Sequence, residues 1–241
     1  GVQQMNIKET KSVRVAYGEA LQELGASKKN LVVLDADLAH ATMTCKFGEA
    51  YPECFFNMGI SEADMMDTAA GLAISGFVPV ASTFALFGTG RAYEQIRNSI
   101  CYPKLNVKIA CTHSGLTVGE DGGSHQSVED ISLMRGVPNM TVVVPCDAVQ
   151  MKKALTAAVE MNGPVYLRVS RPPAPVFTEE SDAFEIGRGN LLKKGSDLTI
   201  IATGLMVYQA LVAAEELDKQ GVSAAVIDMA TIKPIDKEII L

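Results

Sequence analysis

Short apolar runs rich in β-branched residues alternate along this chain with stretches of helical periodicity. The runs are apolar almost throughout, which is typical of strands buried on both faces of a sheet. The candidate strands are NLVVLDAD (30–37), FVPVAST (77–83), NVKIACT (106–112), MTVVVP (140–145) and VYLRVS (165–170). The candidate helices cover about 13–24, 62–75, 89–101 and 147–161. This alternation predicts an α/β fold, a mostly parallel sheet with helices on both faces.

The composition changes near residue 173, where several prolines are followed by acidic residues. The change predicts a first domain at 1–173, a linker at 174–185 and a second α/β unit at 186–241. In the second unit, the strands DLTIIATG and VSAAVIDMA flank one helix. Because two strands and one helix cannot bury both faces of a sheet, we expect one of two arrangements. The unit packs on the first domain or a partner, or it is cut short at Leu241, and we favour truncation.

Charge and hydropathy exclude several classes of partner. The 241 residues carry a net charge of -7 at pH 7, and no run of Lys or Arg forms a basic stripe. Nucleic acid and anionic membrane surfaces are therefore not expected as partners. The sequence has no apolar span of about 18 residues, and its start lacks a signal-peptide pattern. The five cysteines show no CxxC spacing, and together these features predict a cytoplasmic protein.

A carboxylate stands at the start of an unusually apolar helical stretch, NMGISEADMMDTAAGLAISG (57–76). In the simplest interpretation, Ser61 caps the helix and Glu62 complements its dipole, and the periodicity alone favours this. However, the rest of the helix is mostly Ala, Gly and Met, so it must pack closely against its surroundings. A carboxyl group at the buried N-terminus of this helix could hold or pass a proton.

A glycine-rich loop, CTHSGLTVGEDGGSHQSVED (111–130), follows one predicted strand. It contains His113 and His125 together with Glu120 and Asp121. Ligands gather at the carboxyl ends of strands in open α/β sheets, so the loop is predicted to be a site rather than a connector. It has no HxH or HxxxH pair for a metal and no P-loop lysine for a phosphate.

Two further strand ends carry candidate binding groups. Phe84 and Phe87 follow a strand, and their rings could equally pack in the core or form a stacking platform for a heteroaromatic ligand. Arg171 follows another strand and precedes two prolines. A fixed guanidinium there suits a phosphate or a carboxylate, although an ordinary surface arginine fits the pattern as well.

These segments, in this order, resemble the pyrimidine-binding domain of the transketolase family. The resemblance is closest to the C-terminal subunit of split transketolases, in which two chains share the work. The segments that carry it are VVLDADLA, FNMGISEADMMDTAAGLA, VPVASTFALF, THSGLTVGEDGGSHQSVEDISLMRGVPNM, VVPCDA and VSRP, with LTIIATG matching the start of the last domain. The resemblance implies thiamine diphosphate-dependent transfer of a two-carbon ketol unit from a ketose, or its phosphate, to an aldose or its phosphate.

The resemblance also implies roles for cofactor-binding residues. Glu62 would hydrogen-bond N1′ of the aminopyrimidine and control its tautomer. Phe87, with Phe84, would stack on the pyrimidine. Asp37 would lie near the cofactor at the subunit boundary. An aromatic residue of the family is replaced by Gly90, which alters the wall of this pocket.

On the substrate side, the resemblance implies that His113, Asp121 and His125 bind sugar hydroxyls and move their protons, with both histidines catalytic beside Glu62. Arg171 and Arg14 resemble the ligands of a substrate phosphate. The serine of the family's phosphate pocket falls at Ala41 in this sequence. That departure leaves open whether the substrate is phosphorylated.

The family's metal motif, GDG followed by Asn, has no counterpart in this sequence. We therefore expect no metal site in this chain. The resemblance implies that Mg²⁺ and the diphosphate are held mainly by a separate N-terminal subunit, in a homodimer or heterotetramer. The remaining partners would be small sugar phosphates.

Three alternatives stay open at this point. A deoxyxylulose-phosphate synthase and the β subunit of a 2-oxo acid dehydrogenase share the glutamate of the pyrimidine domain. The loop histidines and Arg171 favour transketolase, but the synthase shares much of that loop. A non-catalytic scaffold that keeps the fold is a third alternative, and the presence of Glu62 and both loop histidines disfavours it.

Overall fold

The structure is a computed structural model that describes residues 9–241. The strands of this region are β1 (Glu9–Ser12), β2 (Leu31–Asp35), β3 (Phe55–Asn57), β4 (Val78–Phe84), β5 (Lys108–Thr112), β6 (Thr141–Val143), β7 (Val165–Arg168), β8 (Pro173–Val176), β9 (Asn190–Lys193), β10 (Leu198–Ala202), β11 (Ala224–Asp228) and β12 (Thr231–Lys233). The α-helices are α1 (Val13–Ser27), α2 (Ala39–Thr42), α3 (Cys45–Ala50), α4 (Glu62–Ile74), α5 (Tyr93–Gln95), α6 (Asp130–Gly136), α7 (Ala148–Glu160), α8 (Met206–Lys219) and α9 (Lys237–Ile240).

A seven-stranded sheet organises the first part of the chain, in the order β12-β6-β7-β5-β4-β2-β3. Its strands are parallel except β12, which pairs antiparallel with β6. Every residue of β2 and β5 is buried, as expected for near-continuous apolar strands covered on both faces. The predicted α/β fold is confirmed.

Helices cover both faces of this sheet. On one face α1 and α7 pack together, and Tyr17, Leu21 and Leu155 are fully buried in that layer. On the other face lie α4 and the segment 87–101, with Met66 and Ile100 fully buried. The predicted helix at 89–101 is irregular, because π-helical turns at Phe87–Arg91 and Ile96–Cys101 flank the short α5.

The second unit forms a three-stranded sheet in the order β10-β11-β9. Here α8 packs against β11 through Leu211, Ala214 and Val226, so the predicted strand–helix–strand unit is present. The unit also contributes β12 to the large sheet, where Thr231 pairs with Val143 of β6. Packing on the first domain is one of the arrangements that the sequence left open.

The segment predicted as a linker, 174–185, is tied to the first domain at its start. Residues 174–176 belong to β8, which pairs antiparallel with β1. The next two backbone N–H groups, of Phe177 and Thr178, donate to Asp147 Oδ2 at 3.0 and 2.8 Å. Asp147 is also the N-cap of α7. The proline-rich composition therefore marks an edge strand here. Proline has no backbone N–H to donate, and an edge strand tolerates this because one of its sides is unpaired. The predicted first domain begins with residues 1–8, which lie outside the described residues.

The helix α1 approaches the chain at Met43 very closely. A Cβ added at Gly18 would lie 2.8 Å from Met43 Cβ and would also collide with the Met43 carbonyl oxygen. Met43 has φ 71°, so the chain turns sharply beneath the helix. Glycine at 18 therefore sets the spacing between α1 and the segment that follows β2.

We expect Gly18→Ala to lower the free energy of unfolding by about 1–3 kcal/mol, because the backbone at Met43 cannot yield as a flexible side chain could. The matched control is Gly71→Ala in α4, where an added Cβ meets no atom within 4 Å. That change should raise stability by about 1 kcal/mol through helix propensity. Urea denaturation of both variants measures the two values, and equal effects would contradict the close approach.

Candidate active site

Glu62 is the first residue of α4 and only 4% exposed, although the nearby Ile60 is 76% exposed. Ser61 occupies the N-cap position but makes no side-chain capping bond, so the simple capping interpretation is wrong in that respect. Both oxygens of Glu62 accept from Arg91 Nη1, at 3.2 and 3.4 Å. Because Arg91 is half-exposed and makes the two bonds described here to this buried carboxylate, another donor can take its place.

Four aromatic rings gather beside this carboxylate. Phe84 ends β4 and stacks on His113 with ring centroids 3.8 Å apart. Phe87 lies 5.8 Å from Phe84, and His125 meets Phe87 edge-on at 5.1 Å. Arg91 connects the rings to the acid, since its guanidinium lies 4.4 Å above Phe87 while it binds Glu62. The predicted residues 62, 84, 87, 113 and 125 are thus neighbours in space.

His113 follows β5 in a left-handed conformation, with φ 56°. Its Nδ1 is 2.9 Å from Thr112 Oγ1, and the residue is 3% exposed. Burial lowers the pKa of His113 to about 4, and the charges of Arg14 and Arg171 contribute to the lowering. The imidazole is therefore neutral near pH 7 and acts as a hydrogen-bonding group rather than a cation.

Two arginines at the end of β7 hold the glycine-rich loop that follows His113. Arg168 donates to the buried Asp130 at 2.7 Å through Nε and at 3.3 Å through Nη2. Arg171 donates to the Val118 carbonyl and to Glu120, each at 2.8 Å. These bonds hold the loop on both sides of His125, at Val118 and Glu120 and at Asp130, so His125 lies in an anchored segment.

The charges of two guanidinium groups, those of Arg14 and Arg171, act on each other and on His113. Burial lowers the pKa of Arg14, and the nearby charge of Arg171 adds to the effect. Arg14 Nη1 donates to the Ala41 carbonyl at 2.6 Å, and its buried Nε has no partner among the described residues. A buried guanidinium with a free donor, near the charge of a second arginine, is an arrangement that can bind an anion. Asp121 is exposed, and its charge acts on His113.

Asp37 lies outside the ring cluster. It is exposed after the end of β2, has φ 64°, and accepts from Asn57 Nδ2 at 3.1 Å. Asn57 also accepts from the Gly59 backbone N–H at 3.0 Å, so it connects Asp37 to the turn before Glu62. The neighbouring Asp35 is structural: burial raises its pKa, and it accepts bonds from the Leu38 N–H and two threonine hydroxyls.

Sequence patterns did not reveal the roles of Arg91, Asp130 and Arg168. Arg91 and Glu62 are 29 positions apart in the sequence, and nothing local links them. Arg168 did carry a signal, because it is the one charged residue in VYLRVS. A charge in an otherwise apolar strand requires a partner, and Asp130 supplies it.

The fold and the site define a pyrimidine-binding domain of the transketolase type. The family profile described as "Transketolase, pyrimidine binding domain" matches residues 9–175, and "Transketolase, C-terminal domain" matches residues 187–241. The chain therefore belongs to the transketolase family, and the resemblance inferred from the sequence is confirmed.

Similar proteins include separate transketolase sections. A Methanocaldococcus jannaschii protein, provisionally named a transketolase C-terminal section, is 53% identical over 232 residues, covering 95% of this chain and 73% of that protein. A 6-deoxy-6-sulfo-D-fructose transketolase subunit of Clostridium sp. is 41% identical over 229 residues, covering 95% and 71%. A solved structure described as a split-gene transketolase, inactive β4 tetramer, has TM-score 0.89 and 52% identity, covering 96% of this chain and 75% of that one.

Residues 9–241 lack two features that would suggest other kinds of site. No helix in this range is long and apolar enough to cross a membrane. No group of three or more His, Cys, Asp or Glu side chains in the same range is arranged to hold a metal ion.

The pKa of His113 predicts how stability depends on pH. Above its usual pKa of 6.5 the imidazole is neutral in the folded and the unfolded chain alike. As pH falls from 6.5 to about 4, the unfolded chain binds a proton that the folded chain does not, so stability is lost. Below about 4 both states are protonated and this loss ends.

We therefore expect His113→Asn to lose less free energy of unfolding than the wild type between pH 6.5 and 4. Urea titrations across this pH range measure the difference. The control is His40→Asn, because His40 is exposed, and this variant should follow the wild type. Identical pH dependence of wild type and His113→Asn would contradict a neutral buried imidazole.

Proposed function

We propose that this chain is the C-terminal subunit of a split transketolase, and that it transfers a two-carbon ketol unit with thiamine diphosphate and a partner chain. The observation that carries the proposal is the buried Glu62 beside the rings of Phe84, Phe87, His113 and His125. A buried acid next to a flat aromatic surface suits a protonatable heteroaromatic ring. Family membership supports thiamine diphosphate, with a divalent metal, as that ring's source.

The residues present fit the aminopyrimidine. Phe87 is half-buried and offers a ring face on which a pyrimidine can stack. Glu62 holds a proton at the ring nitrogen, a role that requires Arg91 to yield its contacts of 3.2 and 3.4 Å. When bound, thiamine diphosphate supplies a nucleophilic carbon and an electron sink for breaking a bond beside a ketose carbonyl. The protein controls the tautomer, orients the ring and excludes water.

The loop residues fit the sugar. His113 is neutral, so it can donate or accept a hydrogen bond at a hydroxyl without introducing charge. His125 and Asp121 lie on the same loop, where they can bind further hydroxyls and move their protons. Arg14 and Arg171 would bind a phosphate, or another anionic group, at the far end of the substrate. The Ala41 departure removes a hydroxyl from that pocket, while the carbonyl of the same residue keeps Arg14 in place.

A second chain is part of the proposal. Mg²⁺ and the diphosphate would be held by an N-terminal subunit, with Asp37 at the seam between the chains. A relative of 52% identity is described as an inactive β4 tetramer of a split-gene transketolase. That description supports a C-terminal subunit that needs its partner, and a heterotetramer is the assembly that we propose.

In the complete complex, we expect Glu62→Gln to lower the rate of ketol transfer by about 100-fold or more, because a positioned proton-holding group is lost. The control is Asp64→Asn, an exposed acid in the same first turn of α4, which should keep its activity. A coupled assay of aldehyde release measures both rates. Unchanged transfer by Glu62→Gln would mean that the glutamate has no such role.

Mixing experiments test the shared site. We expect the isolated chain to show no ketol transfer and only weak binding of Mg²⁺–thiamine diphosphate, and activity to appear when the N-terminal subunit is added. Calorimetry measures the binding and the coupled assay the transfer. Tight cofactor binding by the chain alone would count against a partner-held diphosphate.

The substrate requirement separates the alternatives within the same assay. Transfer should stop when the aldose acceptor is left out. A 2-oxo acid dehydrogenase subunit would instead require lipoamide and a 2-oxo acid. Turnover of a 2-oxo acid in place of the ketose would contradict the proposal.

A further inference from the structure

A cavity of about 320 Å³ lies between α7, the segment after β8 and the small sheet. Its lining is separate from the candidate active site. The wall contains the polar side chains of Gln150, Lys153 and Asp228 and the apolar side chains of Phe184, Leu191 and Leu192. A concave space with a few polar groups on an apolar wall is the usual form of a small-molecule site.

Asp228 is the most unusual group in this wall. It ends β11 and is fully buried. Its Oδ2 accepts from Gln150 Nε2 at 2.5 Å, and the Cys146 thiol lies near enough to the carboxyl group to lower its pKa. Within residues 9–241, Oδ1 itself has no donor in hydrogen-bonding geometry. Burial raises the pKa of Asp228 to about 6, and the nearby Asp147 contributes to the rise. A buried carboxylate oxygen without a donor is costly, so a ligand that donates to Oδ1 removes an existing penalty.

Lys153 lies one helical turn after Gln150 and faces the same way. Its ammonium donates to the Glu179 carbonyl and, at 2.8 Å, to the Asp182 carbonyl. An ammonium has three N–H donors, so these two bonds leave one N–H of Lys153 without an assigned acceptor. The carboxylate of Asp182 accepts from the Glu179 backbone N–H at 2.7 Å. The cavity therefore carries two acids and one base, which favours a cationic ligand.

The opposite part of the wall is apolar. Leu191 and Leu192 of β9 are 50% and 37% exposed, and Phe184 packs against the core beside α7. An aliphatic group placed against these side chains would remove apolar surface from water.

We propose that this cavity binds a small aliphatic ammonium compound. The ammonium group donates to Asp228 Oδ1, and the alkyl group packs on Leu191, Leu192 and Phe184. Such chemistry comes from a simple amine or from an aliphatic amino acid. In an amino acid, the carboxylate also accepts the third N–H of Lys153.

Three probes of one shape test the proposal on the 241-residue chain. They are 3-methylbutan-1-amine, leucine, which adds a carboxylate, and 4-methylpentanoate, which has the carboxylate but no ammonium. Titration calorimetry should show saturable binding of at least one of the two ammonium compounds and none of 4-methylpentanoate. Absence of saturable binding by both ammonium compounds would overturn the proposal, as would equal binding of the acid.

Variants assign the binding to the cavity. Asp228→Asn keeps the size of the side chain and should weaken the binding ammonium compound by about tenfold or more, the loss expected for a charge-assisted hydrogen bond. The control is Lys152→Met, because Lys152 pairs with Glu19 and Glu23 and lies outside this cavity. It should leave the affinity unchanged. Unaltered binding by Asp228→Asn would overturn the proposal.

Lys153→Met separates the two sources of the ligand. A weaker affinity for leucine with no change for the amine assigns the site to amino acids, and no change for either assigns it to amines. Methyl NMR of the wild type provides a readout that does not depend on folded variants. Titration with the amine should shift the methyl signals of Leu191 and Leu192, and shifts confined to other residues would overturn the assignment.

Discussion

Parallel pairing of β2, β4 and β5 is the constraint on which the candidate site depends. The pairing aligns Asp35 with Ser82 and Phe84 with Thr112, so the carboxyl ends of these strands meet at one edge of the sheet. The segment that leaves one strand is therefore a neighbour of the segment that leaves the adjacent strand. His113 lies on Phe84 for this reason, and the turn after β3 brings Glu62 to the same edge. The chemistry is thus assembled by the sheet rather than by any local motif.

Much of this could be predicted from the sequence, because the relevant signals are local. Apolar runs identified the main strands of the first sheet, and the strand-end rule pointed to Asp37, His113 and Arg171. The spacing of Glu62 before a helix of small residues indicated a buried acid. The roles assigned to these residues rest on family resemblance, since periodicity alone allowed a capping role for Glu62.

Other features depend on contacts between distant parts of the chain, and no local pattern predicts them. The pair of Arg91 with Glu62 is of this kind, as is the pair of Arg168 with Asp130. The prolines after residue 171 indicated a linker, but prolines are also tolerated in an edge strand. Only the pairing with β1 shows that the first of these residues form a strand. The residues that line the cavity at Asp228 come from distant parts of the sequence, so no regular spacing between them could reveal the cavity.

The bond from Arg14 to the Ala41 carbonyl has a consequence for how this pocket can change. The guanidinium is held by a backbone carbonyl, which every residue of a chain possesses. Replacing the side chain at position 41 therefore leaves the cation where it is and alters only the room beside it. If Arg14 binds the substrate as proposed, substitutions at position 41 change which terminal group fits beside the guanidinium, while the bond that holds this cation is kept.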